Sequence, residues 1–181
     1  DPSYFPLLVA NTVLGGGFSS LLVDAVRVNR GLTYGISSRL DARRAGGAIR
    51  IETFTKNASL AETIEVIGEE LGRLRSGGLP PGSVEQAKRY LAGQWPFSVE
   101  TSPALGAALV AAEGLGIGVE GLASFVASLL AVTEEAVRRA LPLLPDPKTL
   151  LLFVEGDEEA VRPSLERFGR VEPFPPPDGS R

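Results

Sequence analysis

Arg27 and Tyr34 stand seven residues apart in the segment Arg27-Val28-Asn29-Arg30-Gly31-Leu32-Thr33-Tyr34. Arginine in the last turn of a helix and tyrosine at the start of a strand, with a glycine turn between them, can point at one spot. There they offer N–H and O–H donors of the kind that hold a carbonyl oxygen or a developing oxyanion. The same two residues also suit a structural role, with the arginine at the negative end of a helix dipole and the tyrosine in a core. Upstream, Gly15-Gly16-Gly17-Phe18-Ser19-Ser20 lies just before a helix, where free backbone N–H groups can hold an anion. A plain flexible turn is the other reading, and the lysine of a nucleotide phosphate loop is missing. Gly116-x-Gly118-x-x-Gly121 formally matches a dinucleotide fingerprint. A helix rather than a strand precedes it, so it reads as a helix-to-helix connection.

Composition narrows the chemistry further. The 181 residues include no histidine, cysteine or methionine, which removes a histidine general base, a thiol nucleophile, disulfides and the usual zinc donors. No catalytic residue and no metal ligand is therefore assigned to this chain. A net charge of −4 argues against a nucleic-acid partner. No apolar run is long enough for a membrane span and no leader pattern opens the chain, so the sequence reads as soluble. The cluster Glu62, Glu65, Glu69 and Glu70 reads as a solvated helix face.

Periodicity supplies the elements that must position these residues. An apolar stretch runs from Tyr4 to Leu14, and a second helix, capped by Ser19 or Ser20, runs to about Asn29 and ends at Gly31. Leu32 to Asp41 and Ala48 to Thr55 read as two strands joined through Gly46-Gly47. The clearest helix places Leu60, Ile64, Ile67, Leu71 and Leu74 on one face, with Ser59 and Glu62 as a capping box and Gly77-Gly78 as its stop. Ser83 with Gln86 opens another helix to about Trp95. Further helices are expected at 102–113, 119–131 and from Thr133 to Leu141. A strand over Thr149–Val154 and a last helix after Gly156-Asp157 follow. The layout is α+β, an antiparallel sheet with helices packed on it. The expected organisation is one domain over 1–171, with a Pro-rich extended tail over 172–181.

Taken together, Leu7-Leu8-Val9-Ala10-Asn11-Thr12-Val13-Leu14-Gly15-Gly16-Gly17-Phe18-Ser19-Ser20-Leu21-Leu22, then Arg27, then Gly31-Leu32-Thr33-Tyr34-Gly35 resemble the pitrilysin/insulinase family of zinc metallopeptidases. This group carries an inverted HxxEH zinc motif and includes mitochondrial processing peptidase and the core subunits of the bc1 complex. The resemblance extends over roughly 4–171. It implies a C-terminal-type, non-zinc domain with the processing-peptidase-like fold, starting after the first strand of that domain. A fragment or processed chain with an exposed sheet edge is expected from this, and with it strand exchange or a homodimer.

By the same resemblance, Arg27 and Tyr34 match an arginine–tyrosine pair that hydrogen-bonds the peptide backbone near the scissile bond. Gly15, Gly16, Gly17 and Phe18 would line the chamber. This chain would bind no cofactor, and zinc would sit on a partner domain or subunit bearing HxxEH. The implied partners are that zinc-bearing half and a peptide substrate, and the fragment alone would be inactive. The alternative function is a non-catalytic assembly subunit, as the bc1 core proteins are.

Overall fold

The computed structural model describes residues 1–174, and the expected tail residues 175–181 lie outside the described residues. The chain opens with helix α1, Tyr4–Asn11, which widens into a π-helical turn over Thr12–Gly16 instead of stopping before the glycines. A second widened helical segment, Val23–Val28, follows. Strands β1, Ile36–Ala42, and β2, Gly47–Thr53, then form an antiparallel hairpin in which Ile36 faces Thr53 and Ala42 faces Gly47. The remaining elements are α2 (Leu60–Arg75), α3 (Ser83–Gln94), α4 (Ser102–Leu115), α5 (Gly118–Ala123), α6 (Phe125–Leu130), α7 (Glu134–Ala140) and α8 (Glu158–Leu165). The architecture is α+β: helix-rich, with a two-stranded antiparallel sheet among the described residues. Among them, no helix is long and apolar enough to cross a membrane.

The alternation of the hairpin decides which way it faces. Ser38 pairs with Ile51 and Leu40 with Ile49 on the face turned toward the helices. Arg39 and Arg50 oppose each other on the outer face. Like charges in direct opposition are unfavourable, and here Arg50 is engaged by Asp41 and Glu52, each at 3.2 Å.

The core gathers Val9, Ala10, Val13 and Leu14 from the first helix and its wide turn, Leu22 and Val26 from the second, and Ile36 from β1. Val66, Leu71 and Leu74 of α2, Val84 of α3, Leu129 of α6 and Val137 of α7 complete it. Fully burying side chains of this size contributes about 1.5–3 kcal/mol each before conformational entropy is subtracted.

Several local expectations are corrected. Neither Ser59 nor Ser83 makes a capping box: a 3-10 turn, Asn57–Ser59, leads into α2, and the Ser83 hydroxyl donates to the Pro80 carbonyl at 2.7 Å. Ser20 does not cap its helix through its side chain, since its hydroxyl is buried without a partner while its carbonyl accepts from the Asp24 N–H at 2.9 Å. Thr133 does cap α7, accepting from the Ala136 N–H at 3.1 Å. Gly77-Gly78 also ends α2 as expected, with the Gly78 N–H reaching the Arg73 carbonyl and the Gly77 N–H the Leu74 carbonyl, both at 2.9 Å. That nested pair of bonds is the Schellman closure, made possible by the positive φ of Gly77, +99°. Residues 149–154 form no strand. Thr149 closes a 3-10 turn, Pro147–Thr149, and the chain beyond it finds no neighbouring strand to complete a ladder.

Candidate functional site

Arg27 and Tyr34 are brought together. The Arg27 guanidinium carbon lies 5.4 Å from the centre of the Tyr34 ring, within reach of a cation–π interaction. Arg27 sits in the last turn of the Val23–Val28 segment, half-buried, whereas Tyr34 is 79% exposed. Among the described residues Arg27 makes no ion pair, and its guanidinium lies beside an exposed phenol. The role at the helix terminus falls to Arg30, which donates to the Ala25 carbonyl at 3.1 Å.

The turn between them is set by Gly31, whose φ of +62° suits a residue without a Cβ. The Gly31 N–H reaches the Arg27 carbonyl at 3.1 Å and the Leu32 N–H the Val26 carbonyl at 3.0 Å. These bonds close the widened helix and turn the chain toward β1.

A row of threonines then fixes the loop carrying Tyr34. The Thr33 hydroxyl lies 2.6 Å from the Phe54 carbonyl and accepts from the Gly35 N–H at 3.1 Å. Thr53 donates toward the Gly35 carbonyl at 3.0 Å, and Thr55 donates to the Leu32 carbonyl at 2.7 Å. Thr63 of α2 approaches Thr55 at 3.3 Å. Sequence reasoning missed this clasp. Thr53 and Thr55 read only as alternating strand residues, and the signal that could have found them is the density of hydroxyls at the end of β2.

The glycine run divides in two. Gly15 packs so tightly that a Cβ there would stand 2.8 Å from Ser38 Oγ and 2.9 Å from Leu22 Cδ1. Gly16 likewise lies against Asn11, where a Cβ would meet the side-chain nitrogen at 3.3 Å. Asn11 and Ser38 bind each other reciprocally, Asn11 Nδ2 to the Ser38 carbonyl at 3.3 Å and Ser38 Oγ to the Asn11 carbonyl at 3.1 Å. This seats the wide turn on β1. Gly17 and Phe18 instead line an open groove of about 300 Å³ with Asp24, Pro80, Gln86 and Tyr90. Arg27 and Tyr34 are not among its lining residues.

The donor set does not fit zinc: the chain has no histidine or cysteine, and no cluster of three or more carboxylates suited to a metal occurs among the described residues. What the arrangement can do is donate hydrogen bonds to a carbonyl presented from outside.

Comparison with known proteins identifies the family of the domain. The family model described as the peptidase M16 inactive domain matches residues 1–91. The uncharacterized zinc protease YmxG of Bacillus subtilis is 32% identical over 98 residues, which are 54% of this chain and 24% of that protein. The non-peptidase homolog YmxG of Helicobacter pylori is 31% identical over 93 residues, covering 49% of this chain and 21% of its own length. A crystal structure of a peptidase M16 inactive domain from Pseudomonas fluorescens superposes with a TM-score of 0.70 and 27% identity, covering 81% of this chain and 35% of that one. The chain thus spans about a quarter of the curated relatives it matches. With the family match falling on the segment that carries Asn11, the glycine run, Arg27 and Tyr34, the chain belongs to the peptidase M16 inactive-domain family of zinc-protease-like proteins.

Proposed function

We propose that this chain, over residues 1–171, is the peptide-positioning domain of a two-part metallopeptidase. Its zinc-bearing HxxEH half would be supplied by another domain or subunit. The observation that carries the reading is the Arg27–Tyr34 pair: an unpaired guanidinium held 5.4 Å from the ring of an exposed tyrosine. Arg27 donates to a peptide carbonyl, and the Tyr34 hydroxyl donates to the oxygen on which charge accumulates as the scissile carbon becomes tetrahedral. The metal and its nucleophile belong to the partner, and this chain's part is orientation and charge stabilisation. Gly17 and Phe18 contribute wall to the chamber, while Gly15 and Gly16 hold that wall against β1.

Removing one preorganised donor from such a site costs about 10²–10³ in turnover. Arg27→Ala and Tyr34→Phe, each assembled with the zinc-bearing half and assayed on a peptide library, are expected to show losses of that order. Wild-type turnover in both variants would remove the assignment.

A second reading, an assembly subunit without peptidase activity, is favoured by one specific observation: the Helicobacter pylori relative is described as a non-peptidase homolog. It predicts that no combination with a zinc-bearing half cleaves any peptide, while the complex still forms.

A further inference from the structure

Phe54 is tied to the Tyr34 loop by that loop's own bonds. Its carbonyl lies 2.6 Å from the Thr33 hydroxyl, and its neighbours Thr53 and Thr55 reach the Gly35 and Leu32 carbonyls at 3.0 and 2.7 Å. The hairpin register ends with Ile36 facing Thr53, so one step further the chain brings Phe54 opposite Gly35. Alternation puts Phe54 in the outer row with Arg50 and Glu52, away from Ile49 and Ile51, which pack on the core. Its ring is 64% exposed and, among the described residues, meets no other aromatic side chain. Gly35 supplies open space beside it. A Cβ at Gly35 would meet nothing within 4 Å, and its φ is not in the left-handed region. Neither packing nor backbone angle therefore requires glycine there, and the missing side chain leaves a shelf with an aromatic wall.

We propose that Gly35 and Phe54 form a subsite for an apolar side chain of the bound peptide, aromatic or large aliphatic, within two residues of the cleaved bond. The proposal rests on the peptide-positioning role of Arg27 and Tyr34, since that pair brings the peptide backbone to the shelf. Gly35 follows Tyr34 directly, and an extended peptide advances about 3.3 Å per residue. Side chains flanking the held carbonyl therefore come within reach of Phe54. The chemistry of the shelf selects the class. Covering the Phe54 ring with an apolar side chain takes both surfaces out of water. A polar side chain would lose its water there and find no side-chain partner on Gly35 or Phe54. The next outer-row residue, Glu52, is already engaged by Arg50 at 3.2 Å.

The test compares an all-alanine peptide with peptides carrying one phenylalanine at each of the two positions on either side of the cleaved bond. The assembled two-part enzyme is expected to favour phenylalanine at one of these positions. Phe54→Ala and Gly35→Val, which removes the wall or fills the shelf, should each reduce that preference, read as a ratio of kcat/KM values, roughly 3–10-fold. Phe54→Tyr keeps the ring and should keep the preference. Phe97→Ala, which removes a 68% exposed ring elsewhere, should leave the ratio as it was. An unchanged ratio in both Phe54→Ala and Gly35→Val overturns the proposal, even where Arg27→Ala and Tyr34→Phe lose turnover. Wild-type turnover in those last two variants removes the positioning role instead. If no peptide is cleaved, binding to the chain itself decides. Acetyl-Gly-Phe-Gly-amide should shift the Phe54 ring resonances, and acetyl-Gly-Ala-Gly-amide much less; equal or absent shifts overturn the proposal.

Discussion

Tyr34 owes its position to hydroxyls more than to packing, because its ring is largely in solvent and its loop is tied down by Thr33, Thr53 and Thr55. Thr33→Val keeps the side chain's shape but removes the contact to the Phe54 carbonyl and the acceptor for the Gly35 N–H. It is expected to cost about 1–2 kcal/mol in a denaturant midpoint. Lys88 is a second residue whose role is visible only in three dimensions. It is 6% exposed, and its ammonium donates to the Val132 carbonyl and to Glu85, both at 2.8 Å, joining α3 to the turn before α7. Lys88→Met fills the same space but orphans that carbonyl, and a loss of about 1–3 kcal/mol is expected by thermal or chemical unfolding. At this scale the closeness of Arg27 and Tyr34 was legible, because seven residues with a glycine turn between them can bring two side chains to one spot, while a role toward substrate came only from the family resemblance. The threonine clasp and the Lys88 bridge were not legible, since the bonds that tie the Tyr34 loop to the end of β2 join residues 18 to 23 positions apart and the Lys88–Val132 bond joins residues 44 apart.

Glycines test the elements with opposite signs. Gly15→Ala drives a Cβ to within 3 Å of Ser38 and Leu22, which requires the wide turn to move off β1; a loss of about 1–3 kcal/mol is expected. Gly93, inside α3 with open space around it, should accept alanine with a gain of about 1 kcal/mol. Unfolding midpoints of the two variants check both signs. The helices were readable from periodicity because an amphipathic stripe is a local property, and α2 and its glycine stop fall where the spacing places them. Its buried face is centred on Thr63, Val66, Leu71 and Leu74, with Leu60, Ile64 and Ile67 only half-buried. The rotation comes from neighbours on both sides, which a single-helix pattern does not contain. The capping boxes failed because loop geometry, set by the preceding turns, decides whether a serine can face back onto its helix. The segment 149–154 reads as strand by composition, but a strand needs a ladder partner.

For the molecule as a whole, burial raises the Tyr4 phenol above its ordinary value of 10.0. The folded state then holds that proton more tightly than the unfolded chain. The associated stability is complete below about pH 10 and declines as the pH climbs through the raised value. Unfolding midpoints measured from pH 8 to 11 should show a decline that Tyr4→Phe reduces. The whole-molecule function was the least legible level, because the chain covers about a quarter of its curated relatives and, among the described residues, gathers no group of three or more side chains able to hold a metal ion. The reading therefore rests on whether Arg27 and Tyr34 act as one device. The most direct measurement is kcat/KM for peptide cleavage by the assembled two-part enzyme, taken for Arg27→Ala, Tyr34→Phe and the double variant. Each single change should lower kcat/KM by about 10²–10³, and the double variant by little more than the worse single one, as expected for groups that act together. Undiminished kcat/KM in all three variants would contradict the account.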